Sequence, residues 1–198
     1  MPARPSTRPD PDRPTAIRLR ADLPIRGRRA RRRTVTAAVA TGIVLAGCSS
    51  PADLPPGELA ADPTCARIIM ATPDSLGGLE RRSTTAQATT AWGDPAVTVR
   101  CGVTPPGPTT DRCLNVENAD GTFVDWIALE GDDPDLPEHA RQGQGSWSFV
   151  TYGREPAVEV VVPVEQVSGQ PTAFLVDLAE AVELSTAERF CVGATDIS

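Results

Sequence analysis

The sequence predicts an α+β domain in which an antiparallel sheet of about five strands has an N-terminal and a C-terminal helix packed on one face. Three observations lead to this fold class: a helix start signal near residue 62, a series of apolar and alternating segments over residues 96–162, and an amphipathic segment after residue 171. The 198-residue chain is long enough for one modest domain with appendages.

The first predicted helix begins at Asp62, whose side chain can cap it while Pro63 occupies its first turn. This helix would carry Cys65 and Ile68 inward until Pro73 ends it. The segment therefore marks the start of the folded domain.

The middle of the chain is typical of strands. We expect strands at residues 96–103, 112–117, 122–129, 146–152 and 157–162. The Asp120-Gly121 step supplies the positive-φ residue of a hairpin turn between the second and third strands. In the last strand, Val158 and Val160 share one face and Glu159 lies on the other.

The second predicted helix opens at Pro171. Phe174 and Leu178 lie on one face of it, opposite Asp177 and Glu180. This pattern favours a helix that closes the domain on one face of the sheet.

Charge divides the chain into two unlike parts. Residues 1–47 hold eleven arginines against three aspartates, a net charge of +8, whereas the remainder carries −15. An apolar run at 34–47 follows the arginine cluster at 28–33, in the order of a secretory signal. The run is shorter than the roughly 20 residues of a membrane span. We therefore interpret 1–47 as a signal peptide with an Arg-rich N-terminal region.

The end of this leader, Leu45-Ala46-Gly47-Cys48, resembles the lipobox of bacterial lipoprotein precursors. The resemblance implies cleavage before Cys48 and a diacylglycerol on its thiol, which would hold the protein at the extracytoplasmic face of the cell membrane. Residues 48–63 would be the lipidated cysteine and a flexible tether, 64–193 the globular domain, and 194–198 a tail. An uncleaved leader that remains as a membrane anchor is the open alternative.

Four further cysteines, an even number in an exported domain, predict two disulfides. We favour Cys101 with Cys113 and Cys65 with Cys191, although four cysteines allow three pairings. No Cys-x-x-Cys occurs and the single histidine, His139, lies far along the chain from the cysteines, so we expect no metal site.

Motifs for catalysis are missing from the sequence. Gly-x-Ser-x-Gly does not occur, and His139 falls in the acidic run 130–139, which we interpret as a solvated loop; a divalent-cation site is the alternative. We expect no catalytic residue and no cofactor, and the −15 charge disfavours nucleic acid as a partner.

Five residues near strand entrances are candidates for binding a ligand or partner, because loop aromatics and arginines are typical of binding surfaces. They are Trp92, Asp94, Arg100, Tyr152 and Arg154. The competing interpretation is structural, with the aromatics as half-buried lids and the arginines paired to local carboxylates such as Asp94.

These segments also resemble an actinobacterial family of exported proteins of unknown function. The resemblance covers about residues 62–193 and depends on Arg81-Arg82, Trp92-Gly93-Asp94-Pro95, Arg100-Cys101-Gly102-Val103, Val124-Asp125-Trp126 and the segment 152–163. It implies a membrane-attached or secreted envelope protein and supplies no catalytic residues.

The sequence therefore predicts a lipid-anchored, non-catalytic module that binds an envelope protein or a cell-wall component. The alternative is an extracytoplasmic, carboxylate-dependent hydrolase that acts on cell-wall glycans. The abundance of acidic residues makes no single carboxylate pair stand out.

Overall fold

The computed structural model describes residues 50–192. The predicted signal peptide, the lipobox with Cys48 and the tail at 194–198 lie outside the described residues. Within the described part, no helix is both long enough and apolar enough to cross a membrane.

One eight-stranded antiparallel sheet dominates the fold. Its strands are β1 (Ser75–Leu76), β2 (Leu79–Arg82), β3 (Thr89–Trp92), β4 (Val97–Val103), β5 (Arg112–Glu117), β6 (Phe123–Leu129), β7 (Ser146–Thr151) and β9 (Ala157–Pro163). They lie in the order β1-β2-β3-β4-β9-β7-β6-β5. Two short strands, β8 (Arg154–Glu155) and β10 (Thr186–Ala187), pair with each other separately.

The predicted fold class is wrong. The five expected strands are present as β4, β5, β6, β7 and β9, but β1, β2 and β3 extend the sheet beyond β4. Residues 50–192 form an antiparallel β-sheet fold with only two short α-helices, not a five-stranded sheet with flanking helices. The missed strands are two to four residues long, and Leu79–Arg82 alternates too little to predict a strand.

The helices are α1 (Pro63–Ala71) and α2 (Ala173–Val182). The expected start of α1 is confirmed, because the Asp62 side chain accepts a hydrogen bond of 2.7 Å from the Thr64 N–H and Pro63 follows as the first helical residue. Such a cap satisfies one of the N–H groups that the first helical turn leaves without an intrahelical partner.

The sheet has an apolar face and a polar face. The apolar face joins both helices in the main hydrophobic core through buried side chains that include Val99, Phe149, Val160, Ile68 and Leu175. The polar face carries Thr98, Arg100, Ser148 and Glu159, which are nevertheless buried. Burial of charged groups requires partners, and these partners define the candidate site.

Residues 50–60, which we call the strap, run from the β2–β3 connection to the end of β4. The Ala52 N–H donates to the Ser83 carbonyl (2.9 Å), and the Leu59 N–H donates to the Gly102 carbonyl (2.7 Å). A β-carbon at Gly102, where φ is +84°, would lie 2.4 Å from the Leu59 carbonyl carbon. The close approach of the strap to β4 therefore requires glycine at position 102.

The strap differs from the flexible tether that the sequence predicts for 48–63. Leu54 and Ala60 are buried, and the Leu54 N–H donates to Thr85 Oγ1 at 3.1 Å. The many prolines of this segment do not free it from the domain, because its remaining backbone groups find partners on the sheet.

The two predicted disulfides form among Cys65, Cys101, Cys113 and Cys191, but the favoured pairing is wrong. Cys65 joins Cys101, and Cys113 joins Cys191. Three strands separate β4 from β5, a distance of about 19 Å at the usual strand spacing. A bridge between Cys101 and Cys113 would need Cα atoms within about 7 Å, so sheet order excludes it.

Candidate functional site

The polar face holds a charged pair at the centre of the sheet. Arg100 in β4 and Glu159 in β9 lie directly opposite each other in the strand register, and they are only 7% and 3% exposed. The Arg100 Nη1 atom donates to Glu159 Oε2 at 2.7 Å. Because both groups are buried away from water, each charge needs the other as its partner.

His139 completes this cluster from a single 3-10 turn, Glu138–Ala140, that lies over the polar face. Its Nε2 atom is 2.8 Å from Glu159 Oε2 and also contacts Arg100 Nη1. The imidazole is partly exposed, so it connects the buried pair to the surface. We call Arg100, His139 and Glu159 the charged cluster.

The charged cluster keeps Glu159 ionised. Burial raises the pKa of Glu159, but the His139 hydrogen bond and the charges of His139 and Arg100 outweigh burial, and the resulting pKa lies below the ordinary value. A buried carboxyl group that stays ionised is poorly suited to act as a general acid.

Arg100 also fastens the strap to the sheet. Its Nε atom donates to the Pro55 carbonyl at 2.9 Å, and its Nη2 atom donates to the Pro56 carbonyl at 3.3 Å. One guanidinium group therefore connects the strap, β4, β9 and His139, which its fixed fork of donors permits.

Beside the cluster, the strap and the sheet border an open cleft of about 320 Å³. Its lining residues are Ala52, Asp53, Leu54, Arg82, Asp94, Pro95, Ala96, Thr98, His139 and Gln142. We call this space the His139 cleft. Its volume falls at the lower end of the range for small-molecule sites.

The His139 cleft contains polar atoms without partners. Thr98 is 2% exposed, and its Oγ1 atom has no hydrogen-bond partner among residues 50–192. The Nε atom of Arg82 is likewise buried and unpaired in the described part of the chain. A buried polar group without a partner costs about 1–3 kcal/mol, and a ligand that reaches either atom from the cleft would recover part of this cost.

Arg82 and Asp94 form one wall of the cleft. Arg82 Nη1 donates to the Gly93 carbonyl at 2.7 Å and lies 3.4 Å from Asp94 Oδ1, while Nη2 donates to the Ser50 carbonyl at 2.8 Å. Asp94 is almost fully exposed, so its second carboxylate oxygen is free to accept from a ligand.

A separate pocket of about 160 Å³ contains the other two candidates, Tyr152 and Arg154. Asp125 lies there and accepts from the Asn115 amide and the Cys191 N–H, each at 2.8 Å. Arg154 is buried and donates to the Ser185 and Phe123 carbonyls. Desolvation lowers the pKa of Arg154, although the charges of Glu183 and Asp125 act to raise it.

The structure thus places the five predicted residues in three settings. Asp94 lines the His139 cleft and Arg100 supports it, whereas Tyr152 and Arg154 belong to the separate pocket. Trp92 is fully buried on the apolar face, where its Nε1–H donates to the Pro73 carbonyl at 3.0 Å and the Arg81 guanidinium carbon lies 5.9 Å from the ring centroid. Trp92 is therefore a core residue and not a half-buried lid.

Sequence reasoning missed His139, Thr98 and Gln142 as neighbours of Asp94. A signal for the charged cluster was present, because Arg100 and Glu159 are charged residues in the middle of apolar strands and each needs a buried partner. No comparable signal points to His139, because a turn far along the chain brings it to the sheet.

Metal-binding residue types do not gather in the described part of the chain: residues 50–192 contain no group of three or more His, Cys, Asp or Glu side chains that could hold an ion. The His139 cleft instead offers donors and acceptors side by side, which suits hydrogen-bonded recognition of a polar ligand.

Comparison with known proteins places the chain in a family. Residues 12–190 match the family model described as "Protein of unknown function (DUF3515)". The chain belongs to the DUF3515 family. No curated protein and no solved structure matches it. In this DUF3515 protein, Arg82 and Asp94 line the His139 cleft, and Arg100 and Glu159 contact His139 at its side.

Proposed function

We propose that this DUF3515 protein is an exported, lipid-anchored envelope protein and that its folded part is a non-catalytic binding module. The lipobox-like segment that ends at Cys48 supports the anchor. The unpartnered Thr98 hydroxyl in the wall of the His139 cleft is the observation that carries the binding role.

The chemistry of the cleft favours binding over turnover. The one imidazole of the chain is engaged with a carboxylate that stays ionised, and both are held by Arg100. This arrangement fixes the cleft wall and the strap. A ligand would meet the polar groups of Asp94, Gln142 and Thr98 together with Asp53 and the apolar atoms of the strap.

One observation favours the second candidate, a hydrolase of cell-wall glycans. Asp53 and Asp94 are two carboxylates that line the same cleft from different segments, as a general acid and its partner do in glycosidases. Asp53 is already engaged, since its Oδ1 atom accepts from Thr85 Oγ1 at 2.8 Å, which favours the binding role.

The anchor is tested by the intact mass of the protein in the membrane fraction of a bacterium that lipidates exported proteins. We expect a chain that begins at Cys48 and carries a diacylglycerol, and we expect Cys48→Ala to lose both the modification and the membrane association. A mass that retains the leader would overturn the lipid anchor.

One experiment distinguishes binding from hydrolysis. Cell-wall fragments, and membrane lipids in nanodiscs, are titrated into the protein while its thermal stability is measured, and the mixture is then analysed for reaction products. A binding module is stabilised against heat and leaves the fragments intact. Thr98→Val should reduce that stabilisation, whereas Thr90→Val should not, because Thr90 also has an unpaired buried hydroxyl among the described residues but does not line the cleft. Product formation that Asp94→Asn abolishes would identify a hydrolase.

A further inference from the structure

From the docked strap we infer that the His139 cleft opens at the membrane surface and binds the sugar headgroup of a membrane glycolipid. This inference rests on the proposed lipid anchor at Cys48. It adds the position of the cleft and the chemical class of its ligand.

The strap leaves almost no free chain between the lipid and the cleft. Arg82 holds the Ser50 carbonyl, and Ala52 is paired on both sides, since its N–H donates to Ser83 and its carbonyl accepts from the Thr85 N–H at 3.0 Å. Cys48 precedes Ser50 by two residues, so their Cα atoms are at most about 7 Å apart. A free tether of 16 residues would instead reach an average of about 22 Å.

The cleft wall comes directly after this short connection. Ala52, Asp53 and Leu54 line the His139 cleft. Ala52 is four residues from Cys48, so even an extended chain sets them about 14 Å apart at most. The headgroup layer of one leaflet is itself about 5–7 Å thick. A lipid on Cys48 therefore keeps the cleft wall within about 14 Å of the lipidated residue, within reach of a ligand that is fixed in the same membrane.

The polar groups of the cleft suit hydroxyl groups. Asp94 and Gln142 can accept hydrogen bonds, Arg82 and Gln142 can donate them, and the Thr98 hydroxyl can do both. A sugar hydroxyl also donates and accepts, so each of these groups finds a partner. Leu54, Pro95 and Ala96 add apolar surface for the C–H face of a sugar ring.

A phosphate group fits the same cleft poorly. Phosphate oxygens only accept hydrogen bonds, and they would face the carboxylates of Asp53 and Asp94. Arg82 is already paired with Asp94 at 3.4 Å, so no free cation offsets this repulsion. The chain from residue 48 onward carries a net charge of −15, which further disfavours anionic headgroups.

The test uses the full lipidated protein in phosphatidylcholine vesicles with or without monoglucosyl diacylglycerol. Hydrogen exchange of the cleft segments 93–98 and 139–143 is measured by mass spectrometry. We expect the glycolipid to slow their exchange by about tenfold once the local sugar concentration exceeds the dissociation constant about tenfold. Phosphatidylglycerol in place of the glycolipid should have no such effect.

Three variants locate the effect. Thr98→Val should lose most of the protection, while Thr90→Val, which removes a buried unpaired hydroxyl outside the cleft, should keep it. Inserting about 20 Gly and Ser residues after Ser49 adds an average reach of about 25 Å. This insertion should reduce the protection by glycolipid several-fold, yet leave protection by soluble methyl glucoside at saturation unchanged.

Each result decides a different point. No protection by glycolipid or glucoside, or equal protection by phosphatidylglycerol, overturns the sugar assignment. Protection that the inserted segment does not reduce overturns the membrane-surface position. Both failures leave the proposed function standing if Cys48 carries its lipid, whereas a chain without that lipid refutes the proposed function itself.

Discussion

The two faces of strands β4 and β9 are both buried, but different forces hold them. On one face, Val99 and Val160 pack in the hydrophobic core; on the other, Arg100 and Glu159 form an ion pair and hold the strap. When side chains on an apolar face are shortened, the loss in the free energy of unfolding grows with the number of buried atoms removed. When one member of a buried ion pair is removed, the whole interaction is lost, because the remaining charge is buried without a partner.

The largest loss of stability is expected when the ion pair on the polar face is broken. Glu159→Gln leaves Arg100 buried without its counter-charge, and we expect a loss of about 3–5 kcal/mol in the free energy of unfolding, measured by urea denaturation. The double variant Arg100→Met/Glu159→Leu should recover much of this loss. Equal losses in the single and double variants would contradict the ion-pair explanation.

The neighbouring residue probes the apolar face of the same strand. Val160→Ala should cost about 2 kcal/mol, since it removes two buried methyl groups and leaves a small cavity. Urea denaturation at neutral and acidic pH should give the same loss, because no ionisable group is involved. A loss that depends on pH would show that the two faces are coupled.

Acid should reduce the stability that the ion pair on the polar face contributes and leave the contribution of the apolar face unchanged. The folded-state pKa of Glu159 lies below its ordinary value of 4.5, because His139 and Arg100 stabilise the carboxylate more than burial disfavours it. The contribution of Glu159 to stability is therefore complete above pH 4.5 and is lost as the pH falls through the lower, folded-state pKa. Thermal unfolding between neutral pH and about pH 3 should show this loss in the wild type.

The control for acid unfolding is the double variant Arg100→Met/Glu159→Leu, which lacks the ion pair. Its melting temperature should fall less steeply with acid than that of the wild type. Parallel curves for the two proteins would assign the acid sensitivity to other carboxylates.

The smallest expected effect concerns the unpaired hydroxyls. Thr98 on the polar face and Thr90 on the apolar face are each 2% exposed, with no partner for Oγ1 among residues 50–192. Replacing either with Val should raise the free energy of unfolding by about 1 kcal/mol, because an unpaired hydroxyl no longer has to be buried and no hydrogen bond is lost. A loss of stability for Thr98→Val alone would indicate a structural partner for its hydroxyl.

Local patterns predicted much of the secondary structure. The Asp62-Pro63 start of α1, the strands β4, β5, β6, β7 and β9, and the helix after Pro171 were all visible in the sequence. These features depend on neighbouring residues, on capping and on periodicity. Strands β1, β2 and β3 were not visible, since they are short and gain their stability from pairing β1 with β2, β2 with β3 and β3 with β4.

The candidate site was predicted only in part. Asp94 and Arg100 were selected as binding candidates and lie at the His139 cleft, but Trp92 belongs to the core. The strap was predicted as a tether because its prolines and small residues are typical of linkers. Composition does not report which backbone groups find partners on a distant strand.

The sequence by itself determined the basic first part and acidic remainder of the chain, the four cysteines that form disulfides, the start of α1 and five of the strands. Only the tertiary structure decided that Cys65 pairs with Cys101, that the strap is docked, and that His139 meets Glu159. The physical reason is range: caps, turns and alternation act between residues a few positions apart, whereas strand order brings together residues that lie tens of positions apart.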